Sequence, residues 1–148
     1  MNPTDTSAAI IKEIIINAPA ERIFVALTDP LQRIKWWGLP GRFQATHMES
    51  DLQPGGEWSM TGIGMGGRPF TIRGEYRIVE SPRVLEMTWL DDFKTDSTQS
   101  LVRFELHEKE GATTVRLIHS GLTTQQAYQG WPGLLANLQK FVQEDSGK

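Results

Sequence analysis

His119 is the ionisable side chain that strand alternation places on the inward face of a predicted sheet, because it follows Val115 and Leu117 at a spacing of two. Its imidazole could act as a general acid or base, with Tyr76 or Arg73 polarising an oxygen of a bound molecule. No carboxylate stands beside His119 in the sequence to orient the ring. The same residue could equally be a hydrogen-bonded core group or a hydrogen-bond partner for a ligand, and the sequence leaves these three interpretations open.

Nucleophilic and metal-dependent chemistry find no support in the sequence. The chain has no cysteine and no G-x-S-x-G pattern. His47 and His107 fall on other predicted strands without metal-type spacing, and Asp91, Asp92 and Asp96 lack the ordered oxygen pattern of a calcium loop. We therefore predict neither a metal site nor a cofactor.

Two glycine-rich segments resemble phosphate loops only superficially. Residues 51–56 (DLQPGG) and 62–67 (GIGMGG) lie between predicted strands, and no helix follows either of them to supply an anion-binding N-terminus. Both are interpreted as hairpin turns in which glycine adopts positive φ. The second turn is expected to be flexible and could gate the mouth of a cavity.

Aromatic side chains are the most informative feature for function. The chain has five Trp, six Phe and two Tyr, and aromatic walls are typical of small-molecule sites. The same side chains could instead fill a core, and Trp36-Trp37 could be a hydrophobic plug. The residues that we predict to line a ligand site are Trp36, Trp37, Phe43, Trp58, Met60, Tyr76, Met87, Trp89, Phe104, His119, Trp131, Leu135 and Leu138.

The elements that must position these residues begin with a strand and two short helices. Isoleucine-rich residues 9–17 predict the first strand. Apolar residues at helical spacing then predict a helix over residues 19–28. Asp29-Pro30 supplies a cap and a helix-starting proline, which predicts a second short helix over residues 31–37.

Six further strands are predicted to follow in an antiparallel meander, each bounded by turn residues. Alternation places apolar side chains on one face of these strands and charged side chains on the other. The predicted strands cover residues 43–50, 57–62, 69–80, 83–89, 100–108 and 113–120. The solvated face is expected to carry Glu75, Arg77, Glu86, Arg103, Glu105 and Arg116.

A C-terminal helix completes the predicted fold. Thr123 or Thr124 could cap it, and Pro132 predicts either a kink or a main helix that begins near Trp131. Its apolar stripe must lie on the sheet, and it comprises Trp131, Leu134, Leu135, Leu138, Phe141 and Val142. The fold class is therefore α+β: a curved antiparallel sheet of about six to seven strands wrapped around one long helix, with two short helices between strands one and two.

Whole-chain composition sets the remaining expectations. The 148 residues suit a single domain over 1–148, with frayed ends at 1–8 and 144–148. A net charge of -3 offers no basic face, so neither nucleic acid nor membrane is an expected partner. No signal sequence or long apolar run is present, which is compatible with a cytoplasmic protein. Exposed edge strands are compatible with a homodimer.

Four sequence segments carry a family resemblance that covers nearly the whole chain: INAPAERIFVALTDP, MESDLQPGGEWSM, GEYRIVESPRVLEMTW, and GW followed by spaced leucines. The chain resembles the START-like (helix-grip, birch-pollen-allergen-like) superfamily, which includes bacterial polyketide cyclases. Within it, the chain is similar to small bacterial proteins related to the C-terminal domain of the activator of the heat-shock-protein-ninety ATPase. The resemblance implies a cavity between the sheet and the long helix.

Three functional hypotheses follow. We favour binding or carriage of a small hydrophobic, lipid-like or polyketide-like molecule. The second is a cyclase or dehydratase that works without metal by acid–base chemistry through His119, a reaction class implied by the resemblance. The third is a chaperone-interacting module, suggested only by the family name, and 148 residues leave no room for the separate chaperone-binding region of the eukaryotic activator.

Overall fold

The computed structural model describes residues 8–39, 41–91, 99–122 and 130–146. The described residues form three α-helices, α1 (Ala20–Thr28), α2 (Pro30–Trp36) and α3 (Trp131–Ser146), and a short 3-10 helix over Met65–Gly67. The strands are β1 (Ala8–Ile16), β2 (Gly38–Leu39), β3 (Phe43–Ser50), β4 (Glu57–Gly64), β5 (Pro69–Glu80), β6 (Val84–Asp91), β7 (Ser100–Lys109) and β8 (Ala112–Leu122).

All eight strands form one antiparallel sheet in the order β1-β8-β7-β6-β5-β4-β3-β2. The predicted meander is confirmed, and the predicted strand ends agree with the structure to within two residues. The predicted number of six to seven strands was wrong, because β2 forms an additional edge strand. Gly38 pairs with Gln44 and Leu39 with Phe43, and a two-residue strand is too short to show alternation in the sequence.

The sheet is strongly curved, so that it forms a half-barrel around α3. Strand pairing is interrupted between Ala45 and His47 in β3 and between Tyr76 and Ile78 in β5. Such irregularities bend a strand and increase its twist. They give the sheet a concave face that can surround a helix.

The turn between β3 and β4 is a hairpin, as predicted for residues 51–56. The backbone N–H of Asp51 donates to the carbonyl oxygen of Glu57 at 2.9 Å, and Gly55 has φ +86°. A Cβ atom on Gly56 would lie only 2.0 Å from the carbonyl oxygen of Asp51. Glycine is therefore required there by close backbone approach, and no phosphate loop is formed.

Helix α2 starts as its sequence predicts. The Asp29 side chain accepts a hydrogen bond from the N–H of Leu31 at 3.3 Å, and Pro30 is the first helical residue. Helix α3 begins at Trp131, which agrees with the predicted start of the main C-terminal helix. The alternative caps, Thr123 and Thr124, lie outside the described residues.

Side-chain amides fix α3 over the concave face. Asn137 donates through Nδ2 to the carbonyl oxygen of Gly38 at 2.6 Å, and Gln139 donates through Nε2 to that of Ile15 at 2.8 Å. The first bond holds α3 to the corner between α2 and β2, and the second holds it to β1. The apolar side of α3 is buried on the sheet, and its buried residues are Trp131, Leu134, Leu135, Leu138 and Val142.

The outer face of the sheet is charged, as alternation predicts. Arg103 on β7 donates to Glu86 at 2.9 Å and to Glu105 at 2.6 Å.

Across the four described ranges, none of the helices is both long enough and apolar enough to cross a membrane.

Candidate functional site

The concave face brings the predicted lining residues into one interior, between the sheet and α3. All of them except Phe43 are buried. Phe43 is half-buried and packs edge-on against Phe70, with ring centroids 6.1 Å apart. That these residues line a ligand site remains a prediction.

Five tryptophans form the centre of this interior, and we refer to them as the indole cluster: Trp36, Trp37, Trp58, Trp89 and Trp131. The ring centroids of Trp37 and Trp131 are 5.3 Å apart, those of Trp58 and Trp89 are 5.1 Å apart, and those of Trp89 and Trp131 are 5.8 Å apart. The rings meet in edge-on or tilted orientations, which aromatic pairs prefer. The indoles therefore contact one another directly.

His119 lies at one end of the indole cluster and is fully buried. The indole N–H of Trp131 donates to His119 Nδ1 at 3.1 Å, so Nδ1 is an acceptor and the ring proton is assigned to Nε2. Nε2 then donates to Ser100 Oγ at 2.8 Å, and Ser100 donates to the carbonyl oxygen of Trp89 at 3.3 Å. We call His119, Ser100 and Trp131 the His119 network. Both ring nitrogens of His119 are occupied by protein groups.

Arg33 lies at another side of the cluster, and its side chain is fully buried. Its Nη1 donates to the carbonyl oxygen of Leu27 at 3.0 Å. Its guanidinium carbon lies 4.8 Å from the ring centroid of Trp37 and 5.9 Å from that of Trp58, close enough for cation–π attraction. We call Arg33, Trp37 and Trp58 the Arg33 corner.

Several N–H groups in the Arg33 corner have no acceptor. Arg33 Nε, Arg33 Nη2, Trp37 Nε1 and Trp58 Nε1 are buried, and within the described residues none of these atoms makes a hydrogen bond. Leaving a buried donor unpaired costs about 1–3 kcal/mol, and more when the donor is charged. The corner therefore has unused capacity to bind an acceptor.

The positive charge of Arg33 persists at neutral pH although it is buried. Burial lowers the pKa of Arg33 well below its usual value, to about 10, and the nearby Tyr76 acts in the opposite direction. Burial raises the pKa of Tyr76, whereas its hydrogen bond with Ser50 (2.7 Å between Oη and Oγ) and the Arg33 charge oppose that rise. Near pH 7 Tyr76 is thus a neutral phenol. No Asp or Glu of the described ranges neutralises Arg33.

The structure does not bring the proposed acid–base residues together. His119 bonds Ser100 and Trp131, whereas Tyr76 bonds Ser50 near Arg33. Arg73 is exposed on the outer face of β5, in an open groove that Trp58 also lines. Alternation explains this difference, because Arg73 and Tyr76 are three residues apart and side chains of a strand change face at every residue.

Sequence reasoning missed Arg33, although a signal was present. Trp36 and Trp37 follow Arg33 by three and four residues, and side chains at these spacings are neighbours on a helix. An arginine on the same face as two buried tryptophans is therefore expected to turn inward with them. The part of the chain that is described contains no group of three or more His, Cys, Asp or Glu able to hold a metal ion.

Comparison with known proteins supports a relationship over most of the chain. A family model described as Activator of Hsp90 ATPase homolog 1-like protein matches residues 17–143. No curated protein matches the chain significantly.

Solved structures share the fold at low sequence identity. A protein from Chromobacterium violaceum has a TM-score of 0.82 and 22% identity, with 90% of this chain and 96% of that chain covered. An AHSA1-like protein from Aeromonas hydrophila has a TM-score of 0.77 and 23% identity, with 95% and 96% covered. A protein from Mycobacterium smegmatis has a TM-score of 0.75 and 24% identity, with 94% and 90% covered. At these identities the likeness shows the fold alone.

Proposed function

Because the chain belongs to the Activator of Hsp90 ATPase homolog 1-like family, within the START-like helix-grip superfamily whose members commonly bind hydrophobic ligands, we propose that it binds a small hydrophobic or aromatic molecule. The ligand would lie between the concave face of the sheet and α3, against the indole cluster. The protein would act as a binder or carrier of this molecule.

The observation that carries this proposal is the set of unpaired donors inside an aromatic interior. Natural cores pair nearly all of their buried polar groups. The Arg33 corner instead combines indole walls with N–H groups for which residues 8–39, 41–91, 99–122 and 130–146 supply no acceptor. Apolar walls with a few convergent polar groups are the usual composition of a small-molecule site.

Ligand access requires the indole cluster to rearrange. The Trp37 ring contacts Trp89 at 5.6 Å and Trp131 at 5.3 Å between centroids. A ligand can reach the Arg33 corner only if at least one of these rings turns aside, and its own apolar surface then replaces the lost contacts. Binding should therefore change the surroundings of several tryptophans at once.

We do not extend the proposal to catalysis or to a chaperone partner. Both ring nitrogens of His119 are bonded to protein side chains, and Arg73 lies on the outer face. A chaperone partner is suggested only by the name of the family.

The test is a panel of lipids, polyketides and aromatic compounds, followed by tryptophan fluorescence and thermal unfolding. A true ligand should quench or shift the emission and raise the melting temperature, since a ligand at 100 times its Kd adds about 2.7 kcal/mol of stability. Native mass spectrometry of protein purified from its own host should show one small molecule per chain. If no compound in the panel changes fluorescence or melting temperature and no molecule is retained, the indole cluster is an ordinary core.

A further inference from the structure

We infer that the ligand is an organic monoanion, such as an aromatic or aliphatic carboxylate, whose charged group binds the guanidinium of Arg33. This inference rests on the proposed function and specifies its ligand class. The carboxylate would be held at the Arg33 corner, and the apolar body would lie against the indole cluster.

Arg33 is fully buried, keeps its proton at neutral pH and has no acidic partner within the described residues. Buried charges in proteins are normally paired, because transfer of an ion out of water is strongly unfavourable. A ligand with one negative charge would neutralise Arg33, whereas a neutral ligand would leave its charge uncompensated.

Nη1 of Arg33 is already bonded to the Leu27 carbonyl, and the unpaired atoms are Nε and Nη2. In a guanidinium these two nitrogens form one side, with parallel N–H bonds. That side matches the two oxygens of a carboxylate, which accept such a pair of hydrogen bonds. The free side of Arg33 is thus the one that suits a bidentate acid.

The neighbouring indoles offer further donors: Trp37 Nε1 and Trp58 Nε1 are buried and have no acceptor in the part of the chain that is described. Both rings lie within 6 Å of the Arg33 guanidinium carbon. Each N–H is a neutral donor that can bind a further acceptor of the ligand. The ring faces provide apolar contact surface, and they suit an aromatic or aliphatic body rather than a strongly hydrated ion.

The experiment compares acids with their primary amides, because the two share size and shape but differ in charge. We would use 2-naphthoic acid, 4-phenylbutyric acid and dodecanoic acid, each beside its amide. Affinities near neutral pH would be measured by tryptophan fluorescence and calorimetry. The acid is expected to bind at least about tenfold more tightly than its amide, as expected for a charge-assisted hydrogen bond.

Three variants test whether Arg33 causes the preference for acids over amides. Arg33→Met removes the charge and should abolish the preference for acids while amide binding persists. Arg33→Lys keeps a cation without the paired N–H groups and should retain only part of the preference. Lys35→Met removes the same charge from an exposed position two residues away on α2, and it should behave as the unmodified protein.

The outcomes separate this inference from the proposed function. If acids and amides bind the unmodified protein equally, or if Arg33→Met retains the preference, the anion inference is wrong and ligand binding stands. If no member of any pair binds and the wider panel also gives no ligand, both proposals are wrong. Because Arg33→Met could alter folding, its melting temperature and circular dichroism would be compared with those of Lys35→Met.

Discussion

The His119 network and the Arg33 corner contain two buried polar side chains beside the same indole cluster, and they differ in how far their hydrogen bonds are satisfied. His119 has a protein partner at each ring nitrogen. Among the described residues, Arg33 has a hydrogen-bond partner for only one of its three nitrogens, and the indole N–H groups of Trp37 and Trp58 beside it have none.

This difference suggests different roles for the two sites. A completed network holds strands and helix in one arrangement, because each member would be left unsatisfied if another moved. In the His119 network, the bond to Trp131 joins β8 to the start of α3, and the bond to Ser100 joins β8 to β7. The Arg33 corner holds unsatisfied donors in the same interior, which lowers stability unless something outside the described residues pairs with them.

Removing His119 should have the largest effect on stability. His119→Ala leaves the Trp131 N–H buried without an acceptor and opens a cavity, so we expect the free energy of unfolding to fall by about 3 kcal/mol. Urea unfolding followed by circular dichroism would measure this change. His107→Ala is a suitable control, since His107 is exposed on β7 and should change stability by less than about 0.5 kcal/mol. A similarly small change for His119→Ala would contradict a structural role for the network.

Replacing Arg33 should have a much smaller effect on the free protein. The lowered pKa of Arg33 means that keeping its side chain charged in the interior costs roughly 3 kcal/mol of folding free energy. Arg33→Met removes this cost, but it also removes the hydrogen bond to Leu27 and the contacts with the indole rings. These losses lower stability by a similar amount. We therefore expect Arg33→Met to change the free energy of unfolding, measured in urea, by no more than about 1 kcal/mol.

A large loss of stability for Arg33→Met in urea would contradict the difference that we infer between the His119 network and the Arg33 corner. Deleting one member of a buried ion pair typically lowers stability by about 3–5 kcal/mol. A loss of that size for Arg33→Met would show that the guanidinium is already paired in the free protein. Lys35→Met again provides the control for charge alone.

Most of the fold was predictable because its signals are local and repeated. Alternation along β5 to β8, the cap at Asp29 and the apolar stripe of α3 each recur over enough residues to identify an element. The edge strand β2 was not predictable, because two residues carry no period. The inward position of His119 followed from the same alternation.

The candidate site was predictable only in part. Burial of the aromatic side chains followed from the sequence pattern, but the pairing state of each polar atom depends on tertiary contacts. The partners of His119 come from β7 and from the start of α3, and neither Ser100 nor Trp131 is adjacent to it in the sequence. Likewise, only the folded structure, in which Arg33 on α2 lies beside Trp58 on β4, shows that Arg33 Nε and Nη2 have no acceptor within the described residues.

An effect of similar size tests whether Tyr76 serves as the missing anion of the Arg33 corner. Burial raises the pKa of Tyr76 above its usual value of 10.0, so the folded protein keeps this proton at pH values where the unfolded chain loses it. Stability contributed by Tyr76 is then fully present below about pH 10 and declines above it. Near pH 8 we expect Tyr76→Phe to lower the free energy of unfolding by about 1 kcal/mol, through loss of the Ser50 hydrogen bond.

The difference between the unmodified protein and Tyr76→Phe should therefore shrink as the pH rises from about 8 to about 11. Urea unfolding across this range would measure it, and Ser50→Ala, which retains the phenol, should keep the pH dependence of the unmodified protein. A difference that grows with pH would mean that Tyr76 ionises more readily in the folded state than in the unfolded chain. A Tyr76 phenolate would then neutralise Arg33, and the corner would have little remaining charge to bind an external acid.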